Sequence, residues 1–177
     1  MRLFIAVMFD EETKDKISQA ITDIRAYSSA GDFTPRQKLH ITVLFLGETD
    51  EDKLQAIINA LDGIKEKPFH IKLSAIGNFC MGNKGELYYL AAEESRALKA
   101  IHNYLRKKLC EKGFSPGNKN FKPHVTLCRR LVLNEPMKTL LMKSRYDITY
   151  KVTSINLMKS ERINGCVQYC CVYSKKL

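Results

Sequence analysis

Apolar and polar residues alternate from the start of the chain. In MRLFIAVMFD, Leu3, Ile5 and Val7 stand two apart, the spacing that puts side chains on one face of a strand, and predicts a strand over 2–8. The period then changes. Ile17, Ala20, Ile21 and Ile24 follow a helical spacing, with Asp10 placed to cap the helix and Glu11 and Glu12 in its first turn, where they favour the positive end of the helix dipole. A polar, turn-rich segment, YSSAGDFTPRQ, ends that helix.

The next strand is expected over 38–46, closed by Gly47. A second helix starting near Thr49 or Asp50 carries Leu54, Ile57, Ile58 and Leu61 as its buried stripe. In PFHIKLSAIGNF, Phe69, Ile71 and Leu73 share a face. A turn in CMGNKGE, with Gly82 and Gly85, joins this run to LYYLA as an antiparallel hairpin. Leu98, Ile101, Leu105 and Leu109 predict a third helix stopped by Gly113, followed by the loop FSPGNKN and the strand bearing His124. NEPMKTLLMKSR reads as a short helix capped by Asn134 with Pro136 in its first turn. The final stretch from Tyr146 reads as two long strands around the turn ERING.

No Pro-, Gly- or Ser-rich linker interrupts this series. At 177 residues and 45% hydrophobic, the chain has enough apolar material for one substantial core, and residues 1–177 are read as one domain. The balance of charge is basic: 29 Lys and Arg against 19 Asp and Glu give a net +10, which favours anionic partners such as nucleic acid or phosphorylated ligands. Part of it, as at Lys107, Lys108, Lys175 and Lys176, is ordinary solvated surface.

The 6 cysteines are read as reduced thiols of a cytoplasmic protein, because a chain of this size does not need disulfide staples and Cys170 and Cys171 are adjacent. The opening segment lacks cleavage-site character and reads as a strand, and no run is long enough to span a membrane.

One device occurs twice. KLHITVLFLGE carries His40 and Thr42, and FKPHVTLCRR carries His124 and Thr126. On a strand, residues i and i+2 point to the same side, so each histidine projects with its threonine, while Ile41, Val43, Val125 and Leu127 face the core. A lone histidine in such a strand is more often structural than catalytic, as His70 and His102 exemplify, and neither is given a role. Two motifs nearly half the chain apart, each followed by a turn and a helical pattern, indicate instead a weak internal repeat whose halves can bring the motifs into one cleft.

Imidazole titrates near neutrality. One ring can remove a proton while the other supplies one, threonine hydroxyls can donate to phosphate oxygens, and an arginine can balance charge that grows in the transition state. Such a set can cleave a phosphodiester without metal, with two histidines on opposite sides of phosphorus meeting the in-line requirement. Zinc ligation fits less well, since neither motif has a third histidine or a carboxylate at ligand spacing; Glu48 and Asp50 are better read as helix-capping residues.

HITVLFLGE and KPHVTLCR resemble the two HxT signatures of the 2H phosphoesterase superfamily, in particular the RNA 2′,3′-cyclic phosphodiesterases once named 2′-5′ RNA ligases. The resemblance is nearly full length, taking in MRLFIAV, PFHIKLSAIGNF and LMKSERINGCVQY. It implies an α+β, bilobal fold with two antiparallel sheets facing a central groove and helices outside. It also implies hydrolysis of a terminal 2′,3′-cyclic phosphate to a 2′-phosphomonoester, with no cofactor and no metal. His40, Thr42, His124 and Thr126 fall on the family's catalytic positions and Arg129 on its phosphate-contacting arginine. By analogy His40 is the acid and His124 the base, an assignment that can be reversed.

The family's tryptophan before the first motif has no counterpart here. Phe33 stands near that place, as a base-stacking or a scaffold residue, and Arg36 and Phe121 are open in the same way. Arg130 is a further candidate, although on a regular strand it would face away from Arg129. The resemblance implies RNA with a cyclic phosphate end, or a related cyclic nucleotide, as partner, with no membrane association and a monomeric state, and leaves reverse 2′-5′ ligation open. Alternatives are an enzyme of the same superfamily acting on a small cyclic nucleotide, an ADP-ribose cyclic phosphate or a 2′-5′ oligonucleotide, and a non-catalytic binder of RNA ends.

Overall fold

The computed structural model describes residues 1–80, 82, 85–117, 120–133 and 135–177. Strand β1 (Arg2–Met8) leads to helix α1 (Glu11–Ala26), then β2 (Ala30–Phe33), β3 (His40–Glu48) and α2 (Leu54–Asp62). The hairpin β4 (Phe69–Cys80) and β5 (Glu86–Ala92) precedes α3 (Arg96–Cys110), β6 (His124–Val132) and α4 (Glu135–Lys143). The chain closes with β7 (Arg145–Val152), β8 (Ser154–Ile163) and β9 (Cys166–Lys176).

The local signals account for most of these elements. Asp10 accepts from the Thr13 amide at 2.8 Å, capping α1 as its position suggests. Ser95 accepts from the Leu98 amide and caps α3. Beyond the end of α3, the amide of Phe114 donates to the Leu109 carbonyl and that of Gly113 to the Cys110 carbonyl, with Gly113 at φ +79°. This is a Schellman closure that needs a residue tolerant of left-handed backbone.

Three readings are corrected. The polar segment after α1 contains a strand, β2, which its four residues were too short and too polar to announce. The second helix begins at Leu54, after a short 3₁₀ turn over Glu51–Lys53. The C-terminal stretch forms three strands: the chain leaves β7 at Val152, crosses at Thr153, and enters β8 in another part of the sheet. The crossing carries no Gly or Pro, so it has no turn signature. Asn134 as a cap and the central residues of the CMGNKGE and FSPGNKN loops lie outside the described residues.

All the strand pairings are antiparallel. The order is β7-β4-β5-β6-β3-β1-β8-β9, with β2 pairing along the other side of β6. Between β6 and β3 the ladder has a single registered pair, Ile41 with Val125, so the two expected sheets meet there as halves of one. Helices cover the outside with a cross-over: α1 packs on β7 and β6, and α3 packs on β3 and α2. Leu3, Ile5 and Val7, with Ile41, Val43, Val125 and Leu127, are buried against Ile17, Ile24, Leu98, Ile101 and Leu105 in one cluster that spans both halves. The opposite face of the sheet is left for the groove.

Candidate active site

The pair Ile41 and Val125 fixes the relation of the two HxT triplets. Continuing that antiparallel register would set His40 opposite Thr126 and Thr42 opposite His124, so each histidine adjoins the other motif's threonine about a local twofold. The histidines are then diagonal neighbours, a relation that separates strand positions by about 7–8 Å. The four side chains share one face because they alternate with the buried Ile41 and Val125.

Both imidazoles are oriented in the same way. Nδ1 of His40 lies 2.7 Å from the Lys38 carbonyl oxygen, and Nδ1 of His124 lies 2.7 Å from that of Lys122. A carbonyl only accepts, so each Nδ1 carries the hydrogen and each Nε2 is the proton-exchanging atom. Nε2 of His40 accepts from the Thr42 hydroxyl at 3.1 Å.

Each ring also has an aromatic wall. Phe4 and Tyr169 flank His40 at 5.1 and 5.4 Å between centroids, and Phe79 and Tyr89 flank His124 at 5.3 and 5.1 Å. Tyr89 fits because Gly77 opposite it has no side chain: a Cβ there would stand 2.4 Å from the Tyr89 ring.

The consequence is a shift in basicity. Burial is the chief reason that His40 titrates below its ordinary value, with the charges of Arg129 and His124 adding to it against the Lys38 hydrogen bond. His124 is lowered chiefly by burial too, then by Lys122 and Arg129. Without a bound anion, both rings favour the neutral form at neutral pH.

Regular alternation would send Arg129, five residues after His124, to the wrong face. A bulge prevents this. The β5 register passes from Tyr89–Thr126 to Tyr88–Cys128, leaving Leu127 unpaired; Leu127 and Cys128 are both buried, and Arg129 returns to the groove side. β3 repeats the device: its register with β1 skips Val43, and Phe45 emerges where Arg129 does in β6. The carbonyls of both bulged residues are satisfied, Leu127 by the Thr34 amide at 2.9 Å and Val43 by Nδ1 of His102 at 2.8 Å. Thus His102, given no role from sequence, is buried and closes the first bulge.

A groove of about 850 Å³ runs along this face. His40, Thr42, Thr126, Arg129, Arg130 and Phe33 line it, whereas His124 sits beside it in its own aromatic niche. Arg130 reaches the groove although adjacent to Arg129, because its φ of +53° takes it out of strand geometry, and it ion-pairs with Asp32. Phe33 has the Arg25 guanidinium 4.5 Å above its ring.

Two candidates are not brought there. Arg36 is held by Glu11 and Asp15 of α1, and Phe121 stacks on His102 at 4.3 Å with ring planes 3° apart. Among the described residues no group of three His, Cys, Asp or Glu stands together as a metal cage. Among the described residues no helix is long and apolar enough to cross a membrane.

Sequence reasoning missed the two lysine carbonyls, the aromatic walls and the groove residues Arg2, Phe45 and Arg162. A signal existed for the first: KLHIT and KPHVT both place Lys two residues before His. The aromatics come from strands distant in the chain and left no local signal.

Residues 13–164 match the model of the 2'-5' RNA ligase superfamily. Among curated proteins, the chain is 34% identical to an RNA 2',3'-cyclic phosphodiesterase of Thermus thermophilus over 169 residues, covering 91% of this chain and 82% of that one. It is 33% identical to the protein of the same name from Archaeoglobus fulgidus over 129 residues, or 73% and 72% of the two chains. Among solved structures, TT0787 of Thermus thermophilus superposes with a TM-score of 0.83 at 26% identity, covering 100% of this chain and 98% of that one. Escherichia coli LigT in apo form gives 0.84 at 24% identity over 99% and 96%, a likeness of fold.

Proposed function

The chain belongs to the 2'-5' RNA ligase superfamily, and from that premise we propose that it hydrolyses the terminal 2′,3′-cyclic phosphate of RNA to a 2′-phosphomonoester by two-histidine acid/base catalysis. The carrying observation is the paired orientation of His40 and His124, each tied through Nδ1 to a backbone carbonyl so that Nε2 is left for chemistry.

In this reading the cyclic phosphate sits between the triplets, with Thr42 and Thr126 donating to its non-bridging oxygens and Arg129 balancing their charge. Nε2 of His124 takes a proton from water; the water oxygen forms a bond to phosphorus as the bond to O3′ breaks, and O3′ receives the proton of His40. The product carries a 2′-phosphate and a free 3′-hydroxyl. Lys122 supports this division of roles, since its charge beside His124 favours the neutral base. An anionic substrate would oppose the charges that lower His40 and so favour its protonated, acidic form.

An RNA 5′-hydroxyl replacing water would give 2′-5′ ligation by the same steps, with hydrolysis dominant because water is abundant. Because one chain supplies both sides of the site, residues 1–177 are taken to act as one bilobal unit and as a monomer; the cytoplasm is taken as its setting from the reading of its cysteines as reduced thiols. The test uses a short RNA ending in a 2′,3′-cyclic phosphate, in excess EDTA, with the position of the product phosphate determined. Formation of a 2′-phosphate is expected; no product from folded protein would overturn the reading.

A further inference from the structure

The groove continues past the histidines along a wall built by β1, β8 and β9, where Arg2, Ser160, Arg162 and Tyr169 line it. β1 and β8 are in register there: Phe4 faces Met158 and Arg2 faces Ser160, so Arg2, Ser160 and Arg162 belong to one surface. Phe4 is the ring against which His40 packs. At about 3.3 Å per residue, Arg2 lies roughly 7 Å beyond the Phe4 position and Arg162 roughly 13 Å, an ordered series leading away from the catalytic pair.

These two cations differ from those that a carboxylate already engages. Lys16, Arg36, Lys72 and Lys138 are neutralised by carboxylates. On β8 itself, Lys159 is paired with Glu161, the residues that alternate with Ser160 and Arg162. Among the described residues, Arg2 and Arg162 have no ion-pair partner, and the groove's one carboxylate, Asp32, is engaged by Arg130. The Arg2 guanidinium is held 5.3 Å over the ring of Phe45, which is 40% exposed. Support by an aromatic ring restrains the cation without using its hydrogen-bond donors, which suits it to a phosphate oxygen.

We propose that Arg2 and Arg162 form a phosphate subsite that takes the first phosphodiesters upstream of the reacting end, making the substrate an oligonucleotide rather than a mononucleotide. This rests on the reading of the groove as a cyclic phosphodiesterase site. Contacts to phosphate alone carry no base information, so the subsite selects length and charge without selecting sequence.

The test compares kcat/KM for a mononucleotide 2′,3′-cyclic phosphate with that for a tetranucleotide RNA bearing the same end, on the wild-type chain, R2Q/R162Q and R2K/R162K. The tetranucleotide is expected to be preferred by about ten-fold or more, through KM, as expected for added charge-assisted contacts. R2Q/R162Q removes most of that preference and R2K/R162K retains a part of it. The log–log salt slope for tetranucleotide binding falls in R2Q/R162Q by about 1.4, two contacts at about 0.7 each.

Equal kcat/KM for the two substrates in the wild type, or a preference that survives in R2Q/R162Q, overturns the subsite while hydrolysis itself stands. If neither substrate turns over, the functional reading fails, and binding of a labelled tetranucleotide 3′-phosphate decides the subsite separately. A weaker affinity in R2Q/R162Q upholds it, and an unchanged affinity overturns it.

Discussion

Ile41 faces Val125 across the one registered pair that joins β3 to β6, and each is the central residue of an HxT triplet. The two packing residues therefore set the relation of the two acid/base residues. A displacement at this pair would move His40 and His124 together with their threonines, because the side chains alternate on rigid strands. The catalytic geometry is thus tied to the seam between the halves of the sheet.

His40→Ala and His124→Ala are each expected to lower kcat/KM by about 10²–10⁴-fold, the usual contribution of one general acid or base. The double variant should lose little beyond the worse single variant, since the two act as a unit. Single-turnover hydrolysis and thermal melts check this together; a variant that melts like the wild type and turns over normally would contradict the assignment.

The pH profile of kcat/KM should place its acid limb, where the free enzyme's base titrates, below the ordinary histidine value. Lys122→Met removes a charge that disfavours protonated His124, so that limb should move to higher pH. The histidines also affect stability. Their lowered values mean that the unfolded chain binds more protons, so their contribution is complete above the ordinary value of 6.5 and is lost as pH falls through it toward the folded value. Denaturant titrations at several pH values should show this dependence weakened in the alanine variants.

His102→Leu should destabilise the chain by about 1–3 kcal/mol, the cost of leaving a buried acceptor, here the Val43 carbonyl, without its donor. It should also reduce turnover, because the bulge at Val43 sets the course of β3 beyond Thr42. Urea unfolding and steady-state kinetics read the two effects separately.

Gly77→Ala should push Tyr89 from the wall of His124, at about 1–3 kcal/mol for overpacking, with a fall in kcat. A Gly77→Ala protein with unchanged melting temperature and kcat would show that Tyr89 has another place to go.

Arg129→Gln should lower kcat by about 10²–10³-fold, as for loss of one group stabilising transition-state charge. Arg36→Gln, whose guanidinium is held by Glu11 and Asp15 away from the groove, should leave kcat/KM at the wild-type level. Kinetics of the two variants side by side test the division between an arginine whose phosphate contact the family resemblance implied and one that the sequence left open as substrate contact or scaffold.

Much of this protein was determined locally. The two-residue period of HIT and HVT put each histidine beside its threonine, and the helical spacing of Ile17, Ile21 and Ile24 set the buried side of α1, because side-chain direction follows backbone period. Only the tertiary structure decided that Arg129 joins His124, since an unpaired Leu127 reverses the alternation and a bulge exists only relative to a partner strand. The same holds for β7 and β8, which part at Thr153 because their partners lie in different halves of the sheet. Arg36 and Phe121 were taken by Glu11, Asp15 and His102, and Phe4, Tyr169, Phe79 and Tyr89 were brought to the histidines from across the chain. Chain period fixes which way a side chain points; register and packing between distant strands fix what it meets there.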